Sequence, residues 1–133
     1  MEGALEVVML SVDDVDRSKR FYEETLGFVA DLDMGEGEGR VVQLTPRGSG
    51  CSVQLRPVRP DEEIRWRPGL LLVVADVDAA RAELQGRGLG PSPVQHFDES
   101  GARVDGRGGR WNSFVMFDDP DGYPWVLQER PTD

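Results

Sequence analysis

The sequence predicts an α+β domain built from two βαβββ modules that arose by internal duplication. Three observations carry that prediction. First, "MLSVDDVDRSKRFYEETLGF" and "LLVVADVDAARAELQGRGLG" resemble each other, with Asp14-Val15-Asp16 aligning on Asp76-Val77-Asp78 at an offset of 62 residues, close to half of the 133-residue chain. Second, each copy runs from an apolar strand through Asp-Val-Asp into a helix that ends near a glycine. Third, each helix is followed by three strand candidates joined by short turns. That order favours antiparallel or mixed sheets over the parallel sheet that alternating helices and strands would give.

The elements follow in order. Val7 to Val12 and Leu70 to Val74 are short apolar runs rich in β-branched residues, as strands require. Asp14 and Asp76 sit where a helix N-cap belongs, and Asp16 and Asp78 place negative charge in the first turn, where the helix dipole favours it. Val15, Ser18, Tyr22 and Leu26 share one face of the first helix with Phe21 beside them, and Val77, Ala80 and Leu84 share one face of the second. Gly27 closes the first helix and Gly86 or Gly88 the second.

The next three strands of the first module are expected at Phe28–Asp33, Arg40–Thr45 and Cys51–Arg56, with "MGEGEGR" and "TPRGSG" as turns. Those of the second fall at Ser92–Phe97, Trp111–Phe117 and Tyr123–Gln128, with the Gly/Arg-rich "ESGARVDGRGGR" read as a mobile loop. The Asp-Pro-Asp-Gly at 119–122 is a turn, because Pro120 presets φ and Gly122 accepts a positive one. The whole is one domain: a first module at about 4–57, a Pro-bounded linker at 58–68, and a second module at about 69–130.

Composition narrows the function classes. Apolar content of 38% with 30% charged residues describes an ordinary soluble globular chain, and no apolar run approaches the roughly 18–20 residues that cross a bilayer. The opening "MEGALEVVML" lacks the positive segment and cleavage site of a signal peptide, so the expected location is cytoplasmic. Cys51 is the single cysteine, which excludes an internal disulfide and a cysteine zinc cluster. A net charge of −10 with no basic run argues against nucleic-acid and anionic-membrane partners. It leaves room for cationic ligands.

Taken together, "SVDDVDRSKRFYEETLGF", "VVADVDAARAELQGRGL" and "DDPDGYPWVLQE" resemble the vicinal oxygen chelate superfamily, which includes glyoxalase I, extradiol dioxygenases and bleomycin-resistance proteins. The resemblance spans nearly the whole chain. It implies the glyoxalase/bleomycin-resistance fold, with curved mixed sheets around a cavity that a second copy often completes, hence a homodimer. It does not fix one chemistry, because function lives in the site and not the fold.

Enzymes of this superfamily hold a divalent metal through the first and fourth strands of each module. Carried onto this sequence, those places fall on Val7, Gln54, Gly69 and Val126. Only Gln54 offers an oxygen, and a lone amide does not hold a transition metal. No metal ligand and no cofactor are therefore expected, with a divalent metal as the alternative. Period-2 reasoning puts Val7 and Met9 on the cavity face, together with Ser52, Gln54 and Arg56. Leu71, Pro124, Val126 and Gln128 face it from the second module, and Trp125 lies on the opposite parity as core.

Trp66 in the linker and Trp111 entering a strand are candidate aromatic walls. His96, the only histidine, is a candidate ligand contact or base with Asp98 as its orienter, and Glu129 is a second candidate carboxylate. The resulting expectation is a metal-independent small-molecule-binding protein. Its ligand would be apolar, aromatic or cationic. The alternative is a glyoxalase-like lyase, isomerase or dioxygenase with displaced ligands or an acid/base pair centred on His96.

Overall fold

Capped helices and alternating strands build two units in this computed structural model, which describes residues 1–132. The first unit spans Met1–Trp66 and the second begins at Arg67. In the first, β1 (Val7–Val12) leads to α1 (Val15–Arg20), then to β2 (Val29–Met34), β3 (Val41–Thr45) and β4 (Ser52–Pro57). The sheet order is β1-β4-β3-β2, with β1 parallel to β4 and the other pairs antiparallel. The second unit has β5 (Leu70–Val74), α2 (Val77–Gly86), β6 (Gln95–Phe97), β7 (Arg103–Asp105), β8 (Phe114–Asp118) and β9 (Pro124–Glu129), in the order β5-β9-β8-β6-β7.

Both helices start as their sequence dictates. Asp14 and Asp76 have extended backbones, and each accepts a hydrogen bond from the backbone N–H three residues on, Arg17 and Ala79, at 3.0 Å. After Arg20, residues Phe21–Thr25 widen into a π turn, and Gly27 ends it with φ 73°. Of the two glycines that suit the end of α2, Gly88 takes the left-handed conformation, at φ 90°, and Leu89 N–H returns to the Leu84 carbonyl at 3.0 Å.

Alternation sorts each sheet into a core face and an open face. α1 packs on β3 and β4, and Leu10, Val12, Val42, Leu44, Val53 and Leu55 are buried, as is Tyr22 from the π turn. α2 packs on β8 and β9, and Val115, Phe117, Trp125 and Leu127 are buried, with the Phe117 and Trp125 rings stacked at 6.3 Å. Truncating one such Leu to Ala costs about 2–5 kcal/mol.

An arginine clamp ties helix to strand in each unit. Arg40 donates to Asp16 in the first turn of α1 at 2.7 Å and grips Asp33 on β2 with two bonds, at 3.0 and 3.1 Å. Lys19 also donates to Asp33 at 3.0 Å. In the second unit Arg107 bonds Asp78 in the first turn of α2 and Glu129 on β9. The two arginines are 67 residues apart and do not align under the 62-residue repeat, although each lies in the connection that leads into the equivalent strand of its sheet, β3 or β8.

The second unit departs from the sequence expectation around β6 and the segment that follows it. The segment read as a mobile loop contains β7, paired antiparallel with β6 through Gln95–Asp105, His96–Val104 and Phe97–Arg103. Asp98 closes that hairpin by accepting from Ser100 N–H, Ser100 Oγ and Ala102 N–H at 2.9, 2.6 and 3.0 Å, while Gly101 takes φ 84°. The first strand of this set is correspondingly shorter than expected, Gln95–Phe97.

Two measurements test these contacts. Asp14→Ala and Asp76→Ala should each lower the unfolding free energy by about 0.5–2 kcal/mol in denaturant titration through loss of the cap. The Arg40 and Lys19 partners hold the Asp33 carboxyl down at about 2, from an ordinary 3.8. The stability Asp33 contributes is therefore complete above its unfolded value and is lost as pH falls through its folded one, from about 4 to about 2. Asp33→Asn should flatten the denaturation midpoint over that interval relative to the unaltered chain.

Candidate ligand-binding site

Parallel pairing of first and last strands decides which side chains meet on the open faces. In the first unit Met9 lies opposite Gln54, and Gln54 opposite Gln43. Val7 pairs instead with Ser52 at the start of the strand. In the second unit Leu71 lies opposite Val126, and Val126 opposite Met116. Gln54 and Val126 thus hold equivalent places, but their cross-strand neighbours are Met9 and Leu71 rather than Val7 and Gly69. Met9 and Leu71 are themselves 62 residues apart, and they are 57% and 54% exposed.

These residues do not fit a divalent metal. Leu71 and Val126 carry no donor atom. In the first unit the Arg56 guanidinium donates to Gln54 Oε1 at 3.2 Å and to Met9 Sδ at 2.8 Å, so a side-chain cation already occupies both acceptors. Ser52 is buried, with its hydroxyl 2.6 Å from Thr45 Oγ1, and belongs to the sheet's own bonding. Cys51 is half-buried with its thiol directed to the Ser52 carbonyl at 3.8 Å.

Two clefts touch the open faces. One, of about 180 Å³, lies beside Ser11, Val41 and Arg56, with Arg59 and Glu62 at its edge. The larger, about 430 Å³, is in the second unit. Val126, Met116 and Pro124 line it from the open face, with Phe117 and Trp125, and Arg103 and Asp118 are its charged residues. Its size falls within the range of small-molecule pockets, roughly 300–1,000 Å³. An apolar floor with few polar groups is what such pockets present.

The other candidate residues take up different work. His96 pairs with Val104, and its neighbour Gln95 shares a row with Phe114 and Gln128 on the open face. His96 is thereby on the opposite parity, with Nδ1 2.9 Å from the Gly106 carbonyl oxygen. Asp98 is committed to its turn, and the Ser100 hydroxyl first, then the Ala102 N–H, hold its carboxyl below the usual range. It does not orient His96.

Glu129, the second candidate carboxylate, caps α2 by accepting the Val77 N–H at 2.9 Å and is gripped by Arg107. Arg107 first, then the Val77 N–H, lowers its pKa. Asp76, Asp78 and Glu129 bring carboxylate oxygens within 4.8 Å of one another. Arg107 bonds two of the three and supplies the countercharge a cation would bring.

Trp111 does not enter a strand. It stands in the turn before β8 with φ 60°, a conformation bulky residues avoid. Gln128 holds it there, donating from Nε2 to the Trp111 carbonyl at 2.8 Å. The residue is 48% exposed. Trp66 is 77% exposed at the end of the first unit. Asn112 extends the β6 ladder by accepting the Phe97 N–H at 2.9 Å and donating to the Phe97 carbonyl at 2.8 Å.

Sequence reasoning missed Arg103 and Met116. The available signal was "HFDESGARVD", where an Asp-x-Ser-Gly turn joins two short alternating runs.

The family model described as the Glyoxalase/Bleomycin resistance protein/Dioxygenase superfamily matches residues 4–127. Among solved structures the chain is similar to TnmS3, an antibiotic binding protein from Streptomyces sp. CB03234, with 30% identity, 98% of each chain covered and a TM-score of 0.77. A glyoxalase/bleomycin resistance protein from the same organism shows 31% identity over 95% of this chain and 100% of its own, with a TM-score of 0.73. A superfamily member from Sphaerobacter thermophilus DSM 20745 shows 26% identity over 97% and 98%, with a TM-score of 0.71. No curated protein matches the sequence.

Glycine is required where the loop meets His96. A Cβ on Gly108 would overlap the Asn112 carbonyl oxygen and approach His96 Cβ to 2.7 Å. Gly108→Ala should therefore cost about 1–3 kcal/mol in denaturant titration, whereas Gly109→Ala, with open space around it, should cost less.

Proposed function

Because the chain belongs to the Glyoxalase/Bleomycin resistance protein/Dioxygenase superfamily, it is a protein of the small-molecule-binding kind, and we propose that it binds its ligand without a metal. The observation that carries this reading is the second-unit cleft, whose Val126 stands where the superfamily's enzymes place a ligand and whose walls are mainly apolar. The likeness to an antibiotic binding protein at 30% identity supports small-molecule binding as such.

Of the ligand types the sequence suggested, an apolar or aromatic molecule suits this cleft. Arg56 on one open face and Arg103 at the other count against a cationic one. His96 and Glu129 do not meet there as an acid/base pair, since one bonds the Gly106 carbonyl and the other caps α2. A homodimer and a cytoplasmic location, both implied before the structure, belong to the same proposal. Sedimentation should give twice the chain mass. No helix among the described residues is long and apolar enough to cross a membrane.

Thermal unfolding with a panel of apolar, aromatic and cationic small molecules tests the reading, on protein purified without chelator and on protein dialysed against EDTA. At 100-fold excess over Kd a ligand adds about 2.7 kcal/mol, a readily measured rise in Tm. The expected result is a rise with an aromatic member that is equal in both preparations. A stoichiometric divalent ion whose removal abolishes the rise would overturn the metal-independent reading. Failure of every member would overturn binding itself.

A further inference from the structure

We propose that Arg103 is the polar anchor of the second-unit cleft and that it selects ligands whose apolar ring carries a carboxylate or an equivalent oxyanion. The inference rests on the binding function proposed above and adds the ligand's chemical class.

Three observations carry it. The β6–β7 hairpin places Arg103 opposite Phe97 at the sheet edge, yet its guanidinium crosses β6 to reach β8, where Nη1 donates to Met116 Sδ at 2.9 Å. Arg103 lines the cleft together with Met116 and Val126. Among the described residues it makes no ion pair within 4.0 Å, although Asp118 lines the same cleft.

A guanidinium has five N–H donors in a planar fork, and a thioether sulfur is a weak acceptor. The protein therefore leaves most of that donor capacity at the cleft unused. A carboxylate accepts two parallel bonds from such a fork, which adds geometric selection to charge. Arg56, an open-face arginine of the first unit, also rests on a methionine sulfur, Met9 Sδ, but Gln54 Oε1 takes a further share of its donors.

The chain's net charge of −10 opposes the approach of an isolated anion. Affinity must then come from the ring on the apolar floor, and Arg103 sets the choice among rings.

The experiment compares 2-naphthoate, 2-naphthamide and 2-naphthylmethylammonium, three probes with one ring and different polar heads, by fluorescence titration of the full chain. The native protein should prefer naphthoate to naphthamide by about tenfold or more, the usual worth of a charge-assisted bond over a neutral one. Arg103→Gln should bring the ratio near one while naphthamide binding persists, and Arg56→Gln should leave the preference in place. Equal affinity of all three probes would overturn the inference and leave the binding function standing. So would a preference lost in Arg56→Gln and kept in Arg103→Gln. Failure of all three probes to bind would overturn the binding function for this cleft, and the inference with it. Circular dichroism of Arg103→Gln separates lost selectivity from lost fold.

Discussion

Parallel pairing of the first and last strands of each module is the constraint on which the rest depends. Once β1 lies beside β4 and β5 beside β9, the helix must cross over one face and the intervening strands must return as a meander. The covered face takes Leu10, Leu55, Val115 and Trp125, and their burial supplies the stability of each unit. The other face is left to carry Met9 beside Gln54 and Leu71 beside Val126. None of those four side chains belongs to the buried core.

The same pairing decides which side chains stand where a metal would be held. A metal-binding member needs imidazoles and carboxylates at the adjacent strand positions. Here those positions hold a thioether, an amide and two branched alkyl groups, and arginines approach the sulfurs of Met9 and of neighbouring Met116. Carboxylates are plentiful, but the structure commits the relevant ones elsewhere. Asp14 and Asp76 cap helices, and Asp119 accepts from Asp121 and Tyr123 N–H to hold the β8–β9 turn. Asp33 and Glu129 answer the two arginine clamps.

Much of this was legible in the sequence, and what was not has physical reasons. Asp-Val-Asp announces a cap and a first-turn charge through local chemistry alone, so both helix starts could be read directly. Period-2 alternation separated Trp125 from Val126 for the same reason. Arg103–Asp105 was missed because a three-residue exposed strand owes its conformation to its partner Phe97–Gln95, not to its own apolar pattern. The capping role of Glu129 was not legible because it depends on the Val77 N–H 52 residues away. Trp111 was assigned to a strand because nothing local announces that Gln128 will hold it in a left-handed turn.

The most direct test of the central claim, that the open face at Val126 receives the ligand, uses the four methionines as reporters. With methyl-labelled methionine, titration of 2-naphthoate followed by NMR should move the Met116 resonance saturably. The Met1 resonance, from a fully exposed residue, should stay fixed. Saturable binding of the probe with the Met116 methyl unmoved would contradict the account.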